Sequence, residues 1–135
     1  ENSKGRLPLS EVQRELRSLH LTVTADEASF QSVKALILEN RTALLVLSSN
    51  PMLLENECFT ELLWAIFHLT DEFRLRGDFA DLDEGNRAHL NQDMERVLHL
   101  LLLNWAGNVR YLKKQYPSFF VTVEERLAQD GNHGA

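Results

Sequence analysis

The segment "VLHLLLLNWAGNVRYLKKQYP" (residues 97–117) is strongly apolar at its start, where the first nine positions hold five leucines and a tryptophan. Its longest uninterrupted apolar run, "LLLL", is far shorter than the roughly 18 residues that a membrane helix needs. Apolar side chains recur at three- and four-residue steps, which predicts a helix with one broad buried face. The residues of this face are Leu90, Met94, Val97, Leu98, Leu101, Trp105, Val109, Leu112 and Tyr116. We therefore predict the core helix of a bundle.

Two signals in the first half of the chain mark the starts of further helices. Thr24 followed by Glu27 is typical of a capping box, and the apolar spacing beyond it predicts a helix that continues to about Ser48. Asn50 is a favourable N-cap, and Pro51 suits the first helical position, where no backbone N–H is needed. We expect a new helical turn to begin there.

Stop signals bound two long helices in the second half. A helix is predicted over 57–76, with Gly77 ending it, and a longer one over 86–115, which Pro117 ends. The fold class predicted from these elements is all-α, a single helical bundle of about four main helices.

Length and composition are those of one folded domain. The chain has 135 residues, of which 44% are hydrophobic and 25% charged. A net charge of -6 argues against nucleic acid as a partner, since that affinity depends on clustered Lys and Arg. We predict a short N-terminal helix and connector over 1–24, the bundle over 25–126 and a disordered tail over 127–135.

The cysteine count indicates a reducing compartment, which favours the cytoplasm. Cys58 is the only cysteine, so the chain has no internal disulfide. Glu57 and Glu61 lie beside Cys58 and disfavour its thiolate, so we predict no nucleophile and no enzyme. The chain shows no signal peptide and no membrane span, and we expect no direct membrane insertion. Because it begins at Glu1 without methionine, we expect it to be processed or cut from a longer protein.

The acidic loop at 78–84 is a candidate calcium ligand set. Its carboxylates are Asp78, Asp81, Asp83 and Glu84. In an EF-hand register that starts at Asp81, position six is Asn86 rather than glycine, and position twelve is Gln92 rather than glutamate. A solvated acidic loop is the interpretation we favour.

Three histidines have carboxylates one helical turn away, the spacing that puts both groups on one helix face. These sets are His68 with Asp71 and Glu72, His89 with Asp93, and His99 with Glu95. The Glu-x-x-His repeat of di-iron bundles does not occur in the chain. We predict a hydrogen-bonded role for His68 at the edge of the core, and no catalytic, cofactor or metal site. The alternative is a free-standing helical bundle that binds a metal or small molecule through His68, His89 and His99.

Two further stretches carry a resemblance to a known family. They are "LLVLSSNPMLLENECFTELLWAIFHLTDEFRLRGDFADL" (44–82) and "HLNQDMERVLHLLLLNWAGNVRYLKKQYPSFF" (89–120). In both, the order of motifs resembles the helical cytoplasmic region of prokaryotic potassium-channel-like proteins, with "AIFHLTDE" and "YLKKQYPSFF" as the most specific parts. The chain lacks the pore helices and the selectivity filter of that family.

The resemblance implies a non-catalytic, regulatory domain that contributes to the assembly or gating of a channel. Its expected partners are its own subunits, in a homo-oligomer, and an N-terminal pore region that this chain does not contain. The implied location is cytoplasmic, at the inner face of the cell membrane.

Overall fold

The computed structural model describes residues 8–131, and every regular element in that range is an α-helix. The seven helices are α1 (Leu9–Ser18), α2 (Glu27–Glu39), α3 (Arg41–Ser48), α4 (Pro51–Leu54), α5 (Glu57–Arg76), α6 (Glu84–Gln115) and α7 (Pro117–Gly131). The predicted all-α class is confirmed.

Helices α5 and α6 form an antiparallel hairpin that organises the bundle, and α6 also contacts α1 and α7. The Asn56 side chain caps α5 by accepting a hydrogen bond from the Phe59 backbone N–H at 3.1 Å. Gly77 ends the helix at φ 64°, a backbone conformation that glycine adopts without steric cost. The bounds predicted for α5 are confirmed. Helix α6 starts two residues earlier than predicted, after the N-cap Asp83.

The single helix predicted from Thr24 to Ser48 is wrong, since Asn40 separates α2 from α3. The predicted capping box is also wrong, because Asp26 is the N-cap of α2 and accepts from the Ser29 N–H at 2.8 Å. An Asp placed closer to the helix outcompetes the Thr hydroxyl for the free backbone N–H groups. The predicted Asn50 cap is confirmed.

Three phenylalanine rings form the centre of the main core. Phe30 of α2, Phe73 of α5 and Phe79 are each at most 1% exposed, and Leu69 and Leu90 pack with them. The Phe79 ring centroid lies 5.3 Å from that of Phe73 and 5.6 Å from that of Phe30. Phe79 belongs to the loop between α5 and α6, so this loop is anchored in the core.

The predicted buried face of α6 is only partly correct. Leu90 is buried, but the other fully covered positions are Leu100 and Ala106, and α5 packs against Leu100. Leu98, Leu101 and Trp105, called here the exposed stripe, are 40%, 49% and 58% exposed. Helix α5 packs against the side of α6 that carries Leu100, so the exposed stripe lies outside the core.

Helix α1 and its connector lie along α6. The His99 Nε2 atom is 2.5 Å from the carbonyl oxygen of Leu16 at the end of α1. Glu95 Oε1 accepts from the Val23 N–H at 2.9 Å, so polar groups of α6 hold the extended connector. The segment predicted as 1–24 is thus packed on the bundle over its described part.

The ends of the chain are described only in part. Helix α7 covers residues 127–131 of the tail that we predicted to be disordered over 127–135. Residues 1–7 and 132–135 lie outside the described range, so those parts of the two predicted terminal segments do too. Within 8–131, none of the helices is both apolar enough and long enough to cross a membrane.

Candidate metal centre

Four polar side chains from the α5–α6 hairpin meet at one place. His68 and Glu72 lie one turn apart on α5, and His89 and Asp93 lie one turn apart on α6. Each pair shares one helix face, and the register of α5 against α6 brings the two pairs together. The imidazoles of His68 and His89 are 52% and 47% exposed, whereas both carboxylates are 15% exposed.

The two imidazoles converge on a single carboxylate oxygen. The Oδ2 atom of Asp93 lies 3.4 Å from His68 Nε2 and 3.3 Å from His89 Nε2. This oxygen is buried and accepts no hydrogen bond. Burying a carboxylate oxygen without a hydrogen-bond donor is unfavourable, so a donor or a cation next to this atom would stabilise the protein.

Glu72 lies beside this group but has a different partner. Its Oε2 atom is 3.3 Å from His89 Nε2 and accepts a hydrogen bond from Arg76 Nη1. That hydrogen bond from Arg76 lowers the pKa of Glu72; partial burial opposes the shift, and the charge of the guanidinium adds to it. Glu72 is therefore a carboxylate at neutral pH.

The spacing of His68, His89 and Asp93 fits a small divalent cation. Their nearest donor atoms all lie within 4.8 Å of one another. Zinc binds imidazole and carboxylate at 2.0–2.1 Å, which sets the ligand–ligand edge of a tetrahedron at about 3.3–3.4 Å. The two distances from Asp93 Oδ2 match that edge. This mixed nitrogen and oxygen donor set suits zinc and neighbouring first-row metals.

The other residues that the sequence singled out lie elsewhere. His99 faces the Leu16 carbonyl, and Asp71 pairs with Arg74 at 3.7 Å, so neither belongs to the cluster. The structure therefore brings together two of the three histidines of the alternative set, His68 and His89, while His99 lies apart from them, against α1. The sequence paired Asp93 with His89 but did not predict its contact with His68 across the two helices. The available signal was a His-x-x-x-carboxylate pair on each of two consecutive helices.

Cys58 and the acidic loop have structural partners. Asn104 Nδ2 lies 3.2 Å from Cys58 Sγ, and burial, with the charge of Glu61, raises the pKa of this thiol. In the loop, Asp83 caps α6 and Asp78 Oδ1 accepts from the Ala80 N–H at 2.8 Å. Among the residues that the structure describes, the loop carboxylates do not converge with other ligands on a cation site.

Comparison with known proteins corrects the expected relationship. Residues 2–124 match the family described as "Uncharacterized protein MJ1433, C-terminal helical domain". A curated relative, uncharacterized protein MJ1433 of Methanocaldococcus jannaschii, is 36% identical over 110 residues, which is 82% of this chain and 44% of that protein. The chain thus spans less than half the length of this relative.

The resemblance of residues 44–120 to potassium-channel-like proteins is wrong, since the match over 2–124 leads to a different family. Leucine-rich helical segments share apolar spacing for reasons of packing alone, so motif order in them is a weak sign of descent. No solved structure matches the chain. The chain belongs to the MJ1433 C-terminal helical domain family.

Proposed function

We propose that this domain binds a divalent transition-metal ion of the zinc class through His68, His89 and Asp93. One observation carries the proposal: two imidazole Nε2 atoms lie within 3.4 Å of one buried carboxylate oxygen that accepts no hydrogen bond. Burying such an oxygen without a partner is unfavourable, and a cation held between the three side chains removes that cost.

Ion pairing without a metal is the competing explanation for the cluster. It requires an Nε2–H of His68 or His89 to point at Asp93 Oδ2, and either a neutral or a protonated ring can supply that N–H. However, Asp93 Oδ2 accepts no hydrogen bond from either ring, although both are near enough. Donor orientation therefore favours ligation of a cation over imidazole–carboxylate hydrogen bonding.

Zinc titration of the metal-free protein tests the proposal. Calorimetry at pH 7.5 should show one zinc per chain, and His68→Gln, His89→Gln or Asp93→Asn should each weaken binding at least about tenfold, because each removes one ligand. His20→Gln and Asp71→Asn are matched controls, since both residues are exposed and lie outside the cluster. A wild-type protein that takes up no zinc, or controls that lose as much affinity as the ligand variants, would refute the proposal.

The proposal is one of binding rather than catalysis. The raised pKa of Cys58 disfavours its thiolate, which is the reactive form of the side chain. The lowered pKa of Glu72 makes that carboxylate a weak general base at neutral pH. Neither Cys58 nor Glu72 thus has the protonation behaviour that catalysis favours.

We also propose that the domain associates with copies of itself in the cytoplasm. The exposed stripe supports association, because three large apolar side chains on one helix face favour contact with protein over contact with water. The single cysteine supports a reducing compartment. Light scattering should show a dimer whose amount increases with protein concentration, and Trp105→Glu should abolish it. Trp64→Glu is the control, because Trp64 is also exposed but lies on α5, and it should leave the dimer intact. A monomer at all concentrations would contradict self-association.

A further inference from the structure

We infer that Arg76 keeps Glu72 from ligating the metal, so that the centre retains one coordination position for an exogenous small anion. The inference rests on the proposed metal site and adds the role of a positioning residue and the class of a second ligand.

The Arg76 guanidinium is fixed by hydrogen bonds at both of its ends. Nη1 donates to the Glu72 carboxylate and to the Glu72 carbonyl oxygen, the latter at 3.0 Å. Nε and Nη2 donate to Asn86 Oδ1 at 3.2 and 3.0 Å. Asn86 Nδ2 in turn donates to Asp83 Oδ2 at 2.9 Å, within the N-cap of α6. The guanidinium is therefore part of the α5–α6 junction rather than a free surface group.

These hydrogen bonds limit the ability of Glu72 to act as a metal ligand. The guanidinium donates to Oε2, the Glu72 oxygen that lies 3.3 Å from His89 Nε2, and this hydrogen bond competes with a metal ion for that oxygen. The other oxygen, Oε1, lies 4.0 Å from His68 Nε2, longer than the edge of about 3.3–3.4 Å expected between zinc ligands. Glu72 thus serves as a neighbour of the ligands and not as a fourth ligand.

Charge and exposure indicate the class of the remaining ligand. The charges of Glu72 and Arg76 cancel, so a dication with Asp93 as its single anionic ligand keeps a net positive charge. Both imidazoles are about half exposed, so solvent reaches the centre. A site with three protein ligands that is open to solvent binds water or an exchangeable ligand, and the net charge selects a small anion such as a carboxylate or phosphate.

Cobalt(II) substitution with azide as the probe anion tests this inference, because the visible absorption of cobalt reports its coordination number. The wild-type cobalt protein should show a saturable spectral change with azide. Arg76→Gln should bind cobalt about tenfold more tightly and lose the azide response, because Glu72 is then free to ligate. Arg74→Gln is the matched control, an exposed arginine on the same helix that pairs with Asp71, and should behave as wild type.

Glu72→Gln provides a second variant if Arg76→Gln fails to fold. It should keep the wild-type cobalt spectrum and the azide response, because Glu72 is not a ligand. A changed spectrum in Glu72→Gln, or an unchanged azide response in folded Arg76→Gln, would overturn the inference and leave the metal site standing. A wild-type protein that binds neither zinc nor cobalt would remove the proposed function as well.

Discussion

Replacing Phe79 with alanine should remove a large part of the stability of the domain. The Phe79 side chain is 0% exposed, and its ring packs against Phe30 and Phe73 at centroid distances of 5.6 and 5.3 Å. Truncation of a fully buried phenylalanine costs about 3–5 kcal/mol through lost transfer free energy and the cavity left behind. Since domains of this size are stable by about 5–15 kcal/mol, the loss is a substantial fraction of the total.

Urea unfolding followed by circular dichroism measures this loss as a change in the free energy of unfolding. Phe119→Ala is the matched control, because Phe119 is 55% exposed and its removal should change stability by at most about 0.5 kcal/mol. A loss below about 1 kcal/mol for Phe79→Ala would mean that Phe79 does not anchor the loop between α5 and α6 in the core.

Three further predictions concern the backbone, pH and thiol chemistry. Gly77→Ala should lower the free energy of unfolding by about 1–3 kcal/mol, because φ 64° is strained for alanine. Gly85 lies inside α6, so Gly85→Ala should be neutral or stabilising. Equal effects of the two substitutions in urea unfolding would contradict this prediction. Hydrogen bonds from Asn86 lower the pKa of Asp83 below its usual value of 3.8, so its stabilising effect is present above that value and lost as pH falls through the lower folded pKa. Thermal melts should therefore show a smaller acid-induced decrease in Tm for Asp83→Asn than for wild type. Burial raises the pKa of Cys58, so iodoacetamide should react with this thiol at pH 7 more slowly than it reacts with the thiol of free glutathione, and faster as pH rises. Fast labelling of Cys58 at pH 7 would contradict the raised pKa.

Sequence patterns predicted the elements that local chemistry controls. The bounds of α5 follow from a good N-cap and from Gly77, and both act through nearby backbone groups. The break at Asn40 gave no such signal, because neither proline nor glycine marks it and packing decides it. The burial of Phe79 was equally hidden, since a single apolar residue in an acidic loop has no period to detect.

The sequence predicted the pairs of candidate residues within each helix, but not the contacts between the two helices. Helical spacing placed His68 with Glu72 and His89 with Asp93, but periodicity says nothing about the register of α5 against α6. That register depends on packing between side chains distant in sequence, and it brings both imidazoles to Asp93. The same register exposes the stripe that periodicity placed in the core. The contact between His99 Nε2 and the Leu16 carbonyl oxygen likewise depends on how α1 packs against α6.

Nitrogen-15 NMR of the imidazole rings during zinc addition tests the metal site most directly, because it identifies each coordinating nitrogen. The Nε2 resonances of His68 and His89 should both shift with one equivalent of zinc, while those of His20 and His99 stay in place. Unchanged Nε2 resonances of His68 and His89 at one equivalent, or equal shifts of His20 and His99, would contradict a zinc site at His68, His89 and Asp93.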